Sequence, residues 1–263
     1  DLFGTEQPQT GTEQVQEIAL SELHEFKGHP FKVLDDEKMQ ETMESIREHG
    51  VLMPGIARPM KDGGYEIIAG HRRRHACEFV GLTTMPMFIR DYTDDEATII
   101  MVDSNIQRED ILPSEKAKAY FMKYEAVKHQ GKKGKGNSLD EVGETAGESA
   151  KTVQRYIYLA RLSDALLDMV DKKKIGIVQG VELSFLTEQQ QEWVQVVLEE
   201  TGVIISTAQA SKLKEHGKSD ELTLPMVRLI LTESKPIERK VTIKADKISR
   251  YFPEYYSNEQ IEN

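Results

Sequence analysis

The chain has 263 residues and a formal charge of −11; 38% of residues are hydrophobic and 30% charged, which supports packed cores and excludes global disorder. At roughly 100–200 residues per domain this length suggests about two domains. No run of about 18 apolar residues exists to cross a membrane, Asp1–Thr5 lacks the regions of a signal peptide, and the single Cys77 excludes an internal disulfide or a multi-Cys zinc site. A reducing, cytoplasmic setting without membrane contact is expected. A chain that begins at Asp1 reads as trimmed or as a fragment.

Residues 1–17 are polar and aperiodic and read as a flexible tail, with structure beginning at Ile18. Asp35 and Asp36 offer N-cap carboxylates to a helix whose Met39, Met43 and Ile46 share one face and which Gly50 closes. Ile56–Arg58 is a strand, Lys61–Gly64 a turn and Tyr65–Ile68 the returning strand. A helix over 71–80 follows, closed by Gly81. Met85–Ile89 is a further strand, and Asp94 caps a helix to about Ser104. This alternation over residues 18–110 predicts a small α+β domain.

From Ile111 the pattern is helical, so 111–217 reads as a second, mainly α-helical domain. Ser114 caps a helix with Ala117, Tyr120, Phe121, Tyr124 and Val127 on one face. Seven lysines lie between Lys116 and Lys135, opposed nearby only by Glu115 and Glu125, and suggest a basic patch inside an acidic chain. Gly131–Gly136 is a basic loop carrying Lys132, Lys133 and Lys135, and Ser138–Glu141 is a capping box. Thr187 with Gln190 and Ser206 with Gln209 give similar helix starts. Trp193, Val196, Val197 and Leu198 supply core, and Pro225 suits the first position of a helix. Residues 218–263 read as a C-terminal segment with a strand at Val241–Ile243 and an aromatic helix at Ile248–Tyr256, part of a truncated dimerisation unit.

Three features carry chemistry. At 140–160, Gly143 permits two helices to touch, Gly147 permits a sharp turn, Ser149 caps a second helix and Val153 is buried at its middle, the spacing of a helix-turn-helix. Ser149, Ala150, Lys151, Thr152, Gln154 and Arg155 would then meet DNA, with the nearby lysines on phosphates. At 70–76, Gly70-His71-Arg72-Arg73-Arg74 opens a helix after a strand. Three arginines there oppose the helix dipole, which suggests a bound anion such as a phosphate ester. At 103–110, an Asn and several carboxylates suit Mg²⁺ beside phosphates.

The order Gly-x-Arg-Arg-x-x-Ala at 70–76, Asn-x-Gln-Arg-Glu-Asp at 105–110, then a helix-turn-helix, resembles the ParB family of DNA-partition proteins over about residues 17–215. The resemblance implies a ParB/sulfiredoxin-like N-terminal domain and a nucleoid-associated dimeric clamp. This clamp would load at a centromere-like DNA site, bind CTP and Mg²⁺, and work with a ParA-type ATPase. By position, Gly70, His71, Arg72 and Arg73 would hold the triphosphate, Asn105 would ligate Mg²⁺ and Arg108 would support the site. Two departures stand out. His71 replaces the Glu usual after the glycine, and Ser104 replaces the Glu before the Asn, to which hydrolysis is tied. The stretch His29-Pro30-Phe31 also lacks the arginine often found after its proline. Ser104 favours a rival, a transcription or replication regulator on the same scaffold without a nucleotide cycle. A nucleoid-occlusion role would need an amphipathic N-terminal helix, which residues 1–18 do not display. A metal site at His71, His75 and Cys77 fails because 77 lies off the face that 71 and 75 share.

Overall fold

The computed structural model describes residues 14–130 and 138–233. Five strands form one sheet in the order β1-β5-β3-β4-β2. They are β1 (Val15–Ala19), β2 (Leu23–His24), β3 (Gly55–Pro59), β4 (Tyr65–Ala69) and β5 (Thr84–Ile89). β1 and β5 run antiparallel, as do β3 and β4, whereas β3–β5 and β2–β4 are parallel. The parallel pairs require the chain to cross over, and helices supply the crossings.

Both faces of the sheet are covered, so adjacent residues of a strand are both buried. Ile67 and Ile68 are wholly buried and belong to different clusters. Ile67 packs with Ala57, Met85 and Met87 beneath α1 (Glu37–His49) and α2 (His71–Val80). Ile68 packs with Phe26, Phe31 and the Ala97 and Met101 side of α3 (Asp94–Asp103).

The helical part comprises α4 (Pro113–His129), α5 (Ser138–Glu144), α6 (Ala150–Leu159), α7 (Asp164–Asp171), α8 (Ile177–Leu183), α9 (Glu188–Thr201), α10 (Thr207–Lys218) and α11 (Leu224–Thr232). The cluster around Ile68 extends into this part through Ala119, Tyr120, Val142, Val153 and Ile157. Packing is therefore continuous across residue 110. Contacts gather 1–231 into one unit and 232–263 into another.

The capping predictions at Asp36, Ser149, Thr187 and Ser206 are met, each side chain accepting from a backbone N–H in the first turn. Two caps are displaced. Thr93, not Asp94, caps α3, in a reciprocal box with Glu96. Pro113 occupies the first position of α4, so Ser114 lies inside the helix and bonds Asp171 instead.

Other expectations are corrected. Residues 15–17 belong to a strand, not a tail; β1 is an edge strand with only Ile18 buried, so alternation is faint. Phe121 and Val196 are exposed because α4 and α9 bury other faces. Residues 218–231 belong to the first unit rather than to a C-terminal one. Val227, Ile230 and Leu231 recur at helical spacing on α11 and, with Leu222 just before it, complete the core of α7–α10. The strand and helix expected at 241–256, and the basic loop at 131–136, lie outside the described residues. Among the described residues, no helix is long and apolar enough to cross a membrane.

Candidate functional site

β4 ends at Ala69, and Gly70 turns the chain into α2 with φ 113°. That left-handed conformation suits glycine, and a Cβ would lie 3.2 Å from Gly55 Cα and 3.3 Å from Arg73 Nη2. The backbone thus approaches a pocket of about 230 Å³ closely. Gly70, His71, Arg72, Arg73, Ser104, Asn105 and Arg108 all line it, joined by His29 and Phe31. Two segments more than thirty residues apart in sequence are brought to one cavity because α2 follows β4 on one side of it and α3 ends on the other.

The arginines divide their work. Arg72 reaches Asp36 at 3.3 Å, across to the cap of α1. Arg73 Nη1 donates to the carbonyls of Met53 and Pro54, the latter at 2.8 Å, which fixes the loop before β3 and leaves Nη2 beside Gly70. Burial lowers the affinity of Arg73 for its proton. Arg74 turns away to Glu78 at 2.8 Å. Of the three arginines, two therefore face the pocket.

His71 brings a neutral ring to the pocket. It lies against the ring of His29, tilted by 36°, at 3.9 Å between centroids. Burial, the neighbouring His29 and Arg74 push its pKa down to about 3. Burial also lowers that of His29, whose Nδ1 donates to Phe31 O at 2.8 Å. Nδ1 and Nε2 of His71 and Nε2 of His29 are buried without a partner among the described residues, an arrangement that is costly unless a ligand or solvent completes it. At neutral pH both rings are uncharged, so cationic charge at the pocket rests on the arginines.

Among the described residues no carboxylate lines the pocket. Ser104 Oγ donates to Met101 O at 3.0 Å. Asn105 Nδ2 donates to Met101 O at 2.9 Å and to Ser104 Oγ at 3.2 Å. Asp103 points elsewhere, to Lys123 Nζ at 2.5 Å. Among the described residues no cluster of three His, Cys, Asp or Glu could hold a metal, and Cys77 is buried with its thiol pKa pushed up by burial.

The helix-turn-helix is built as its glycines require. A Cβ on Gly143 would meet Glu148 O at 2.3 Å and Val153 Cγ2 at 2.9 Å, and Gly147 has φ 66°. Val153 is wholly buried and Ile157 nearly so. Ser149, Lys151, Gln154 and Arg155 are exposed, with Ala150 and Thr152 half-buried beside them.

The lysine-rich segment is not a free basic patch. Lys116 pairs with Glu148, Lys118 with Asp164, Lys123 with Asp103 and Lys128 with Glu125. Lys132, Lys133 and Lys135 lie outside the described residues. Tertiary packing brings carboxylates that chain proximity hides.

Lys123 was missed by sequence reasoning. It is buried, and beyond Asp103 it donates to Val142 O and Thr145 Oγ1, both at 3.2 Å. Gln107 donates to Thr145 O at 2.8 Å. The segment that ends at the pocket is thereby tied to the turn of the helix-turn-helix. The signal was available: Lys123 sits between Tyr120 and Val127 on the apolar stripe of α4.

A family model described as the ParB N-terminal domain matches residues 4–106. The chain is 30% identical over 261 residues to the probable chromosome 1-partitioning protein ParB of Deinococcus radiodurans, covering 96% of this chain and 87% of that one. Two crystal structures of the C-terminally truncated chromosome-partitioning protein ParB from Caulobacter crescentus also align. The one complexed to the centromeric parS site is 20% identical, with a TM-score of 0.43, over 83% of this chain and 100% of that one. The one complexed with CTP-gamma-S is 25% identical, with a TM-score of 0.34, over 76% and 98%.

Proposed function

The chain belongs to the ParB family of chromosome-partitioning proteins, and from that premise we propose that it is a CTP-responsive DNA clamp that binds a centromere-like site through α5 and α6. The observation that carries the reading is convergence: Gly70, His71, Arg72, Arg73, Asn105 and Arg108, distant in sequence, line one pocket whose wall residue Phe31 shares a core with the helix-turn-helix.

The pocket fits a nucleotide triphosphate. Backbone N–H groups at the start of α2, Arg72, Arg73 and Arg108 supply donors and charge for phosphates, and the unpartnered histidine nitrogens offer further polar contacts. Asn105 Oδ1 would ligate Mg²⁺, which would neutralise phosphate charge; Mg²⁺ takes the rest of its shell from phosphates and water. Arg73 does double duty, holding the 53–54 carbonyls while presenting Nη2 to the cavity. Lys151, Gln154 and Arg155 read base edges in the major groove, and Ser149 and Thr152 sit where backbone contacts belong. Acting as a nucleoid-associated homodimer in the cytoplasm, away from membranes, with a ParA-type ATPase as partner, the protein would close over duplex DNA.

Ser104, a neutral hydroxyl bonded to Met101 O, and a lining without carboxylates among the described residues favour binding without efficient hydrolysis; His29 and His71 are the basic groups left at the pocket, and their lowered proton affinity makes them weak bases toward water. The same observation supports the second reading, a DNA-binding regulator without a nucleotide cycle. Calorimetric titration of CTP with Mg²⁺, with ATP and GTP as controls and with and without DNA, separates them. Selective CTP binding without phosphate release supports the clamp; no binding of any nucleotide in either condition leaves the regulator.

A further inference from the structure

We propose that the chain grips duplex phosphates at a second place, a cation–aromatic patch of Tyr158, Arg161, Phe185, Lys214 and Lys218 that extends the DNA surface past α6. The proposal rests on the reading of α6 as the recognition helix.

The patch continues the exposed face of α6. Lys151, Gln154 and Tyr158 recur at helical spacing, and Gln154 Nε2 lies 3.4 Å from Tyr158 OH. Beyond the helix end, the Tyr158 ring meets Phe185, just past α8, at 5.2 Å between centroids. Cations gather on these rings. Arg161 Cζ lies 4.9 Å from the Tyr158 centroid, and Lys214 and Lys218 Nζ lie 4.0 and 5.8 Å from that of Phe185. The contributing segments come from three separate parts of the chain.

Two properties separate this cluster from an ordinary solvated face. Phe185, a large aromatic ring, keeps 37% of its surface exposed between Tyr158 and two lysines. Arg161 and Lys218 are exposed and make no ion pair among the described residues, whereas Lys214 is matched by Glu182 at 3.1 Å. On α4 the opposite holds, with each described lysine paired to a carboxylate. A guanidinium resting against an aromatic ring is already partly ordered, and its N–H edge stays free for a phosphate. In a duplex the bases are stacked away, so the rings order the cations rather than stack on bases.

The test measures log Kd against log salt for the full chain on a random-sequence duplex and on the duplex it selects from a random pool. Arg161→Gln and Lys218→Gln should each weaken binding to both duplexes about five-fold at physiological salt. Each should also flatten the salt slope by about 0.9, the value of one phosphate contact. Preference between the duplexes should not change, because phosphate contacts carry no sequence information. Thermal melting checks that both exposed substitutions leave the fold intact. Unchanged affinity and slope would overturn the patch. So would a loss confined to single-stranded DNA, which would make Phe185 a base-stacking platform instead. An Arg155→Ala control distinguishes the two levels of the reading. If it loses duplex preference while Arg161→Gln changes nothing, the recognition helix stands and the patch falls; if the wild-type chain binds neither duplex, both fall.

Discussion

Helices α4 and α6 carry similar positive charge, yet they use it in opposite ways. The described lysines of α4 are each matched by a carboxylate, one of them in the interior. Lys151 and Arg155 of α6 stand exposed without ion pairs among the described residues. The difference teaches that local charge density does not report free charge. Asp103, Glu148 and Asp164 arrive at α4 from three other elements, and only folding brings them there. A basic stretch that reads as a DNA surface is largely a scaffold that holds the DNA-reading element in place.

Breaking the scaffold should have the largest effect. Lys123→Met leaves Asp103 without its cation and strips donors from Val142 and Thr145, so unfolding free energy should drop by about 2–4 kcal/mol in a denaturant titration. Asp103 is partly exposed, which keeps the loss below that of a fully buried pair. A drop under about half a kcal/mol would mean that Lys123 is not a structural strut. Gly143→Val should come next, at about 1–3 kcal/mol, because its side chain must displace Glu148 O and Val153. Its DNA affinity should fall with its stability, because the crossing of α5 and α6 is what sets the reading face.

Substitutions on α6 sharpen the contrast from the other side. Arg155→Ala should leave thermal stability near wild type while costing about 1–3 kcal/mol of discrimination between a selected and a random duplex. Lys118→Gln, also a loss of one positive charge, should change neither discrimination nor salt slope, since its exposed ion pair contributes little. Equal effects from both would erase the distinction between the two helices.

The most gradual effect concerns pH. His71 is held near a pKa of about 3, and that of His29 is also lowered. A histidine whose folded pKa is depressed favours the unfolded state once that state takes up protons. Its contribution is therefore fully present above pH about 6.5 and is lost as pH falls toward about 3, at no more than about 1.4 kcal/mol per pH unit for one proton. Unfolding titrations across this window should show the slope, and His71→Gln should flatten it. A slope unchanged in His71→Gln would assign the loss to other groups.

Much of the candidate site was legible before folding was considered. The αL glycine, the arginines after it and the Asn-x-Gln-Arg segment are local signals, and so are Gly143, Gly147 and the Ser149 cap. The His29–His71 ring contact was not, because it depends on how the loop before α1 folds over α2. The free donors of Arg73 were also illegible, since one nitrogen is spent on the carbonyls of Met53 and Pro54. The same holds for Ser114, which reads as a cap but bonds Asp171 once Pro113 takes the first position of the helix.

By itself the sequence determined which residues can turn, cap and carry charge, because backbone freedom at glycine, capping geometry and apolar period are properties of a few consecutive residues. It set the three inner strands of the sheet, β3, β4 and β5, together with the helix-turn-helix and the arginines and asparagine of the pocket, but not the edge strands β1 and β2. Only the tertiary structure decided which charges remain free. A lysine is neutralised by whatever carboxylate lies within a few ångströms, and at Lys123 that partner is twenty residues away on another helix. It also decided that Phe185, Arg161 and Lys218 share one surface, which no spacing along the chain encodes.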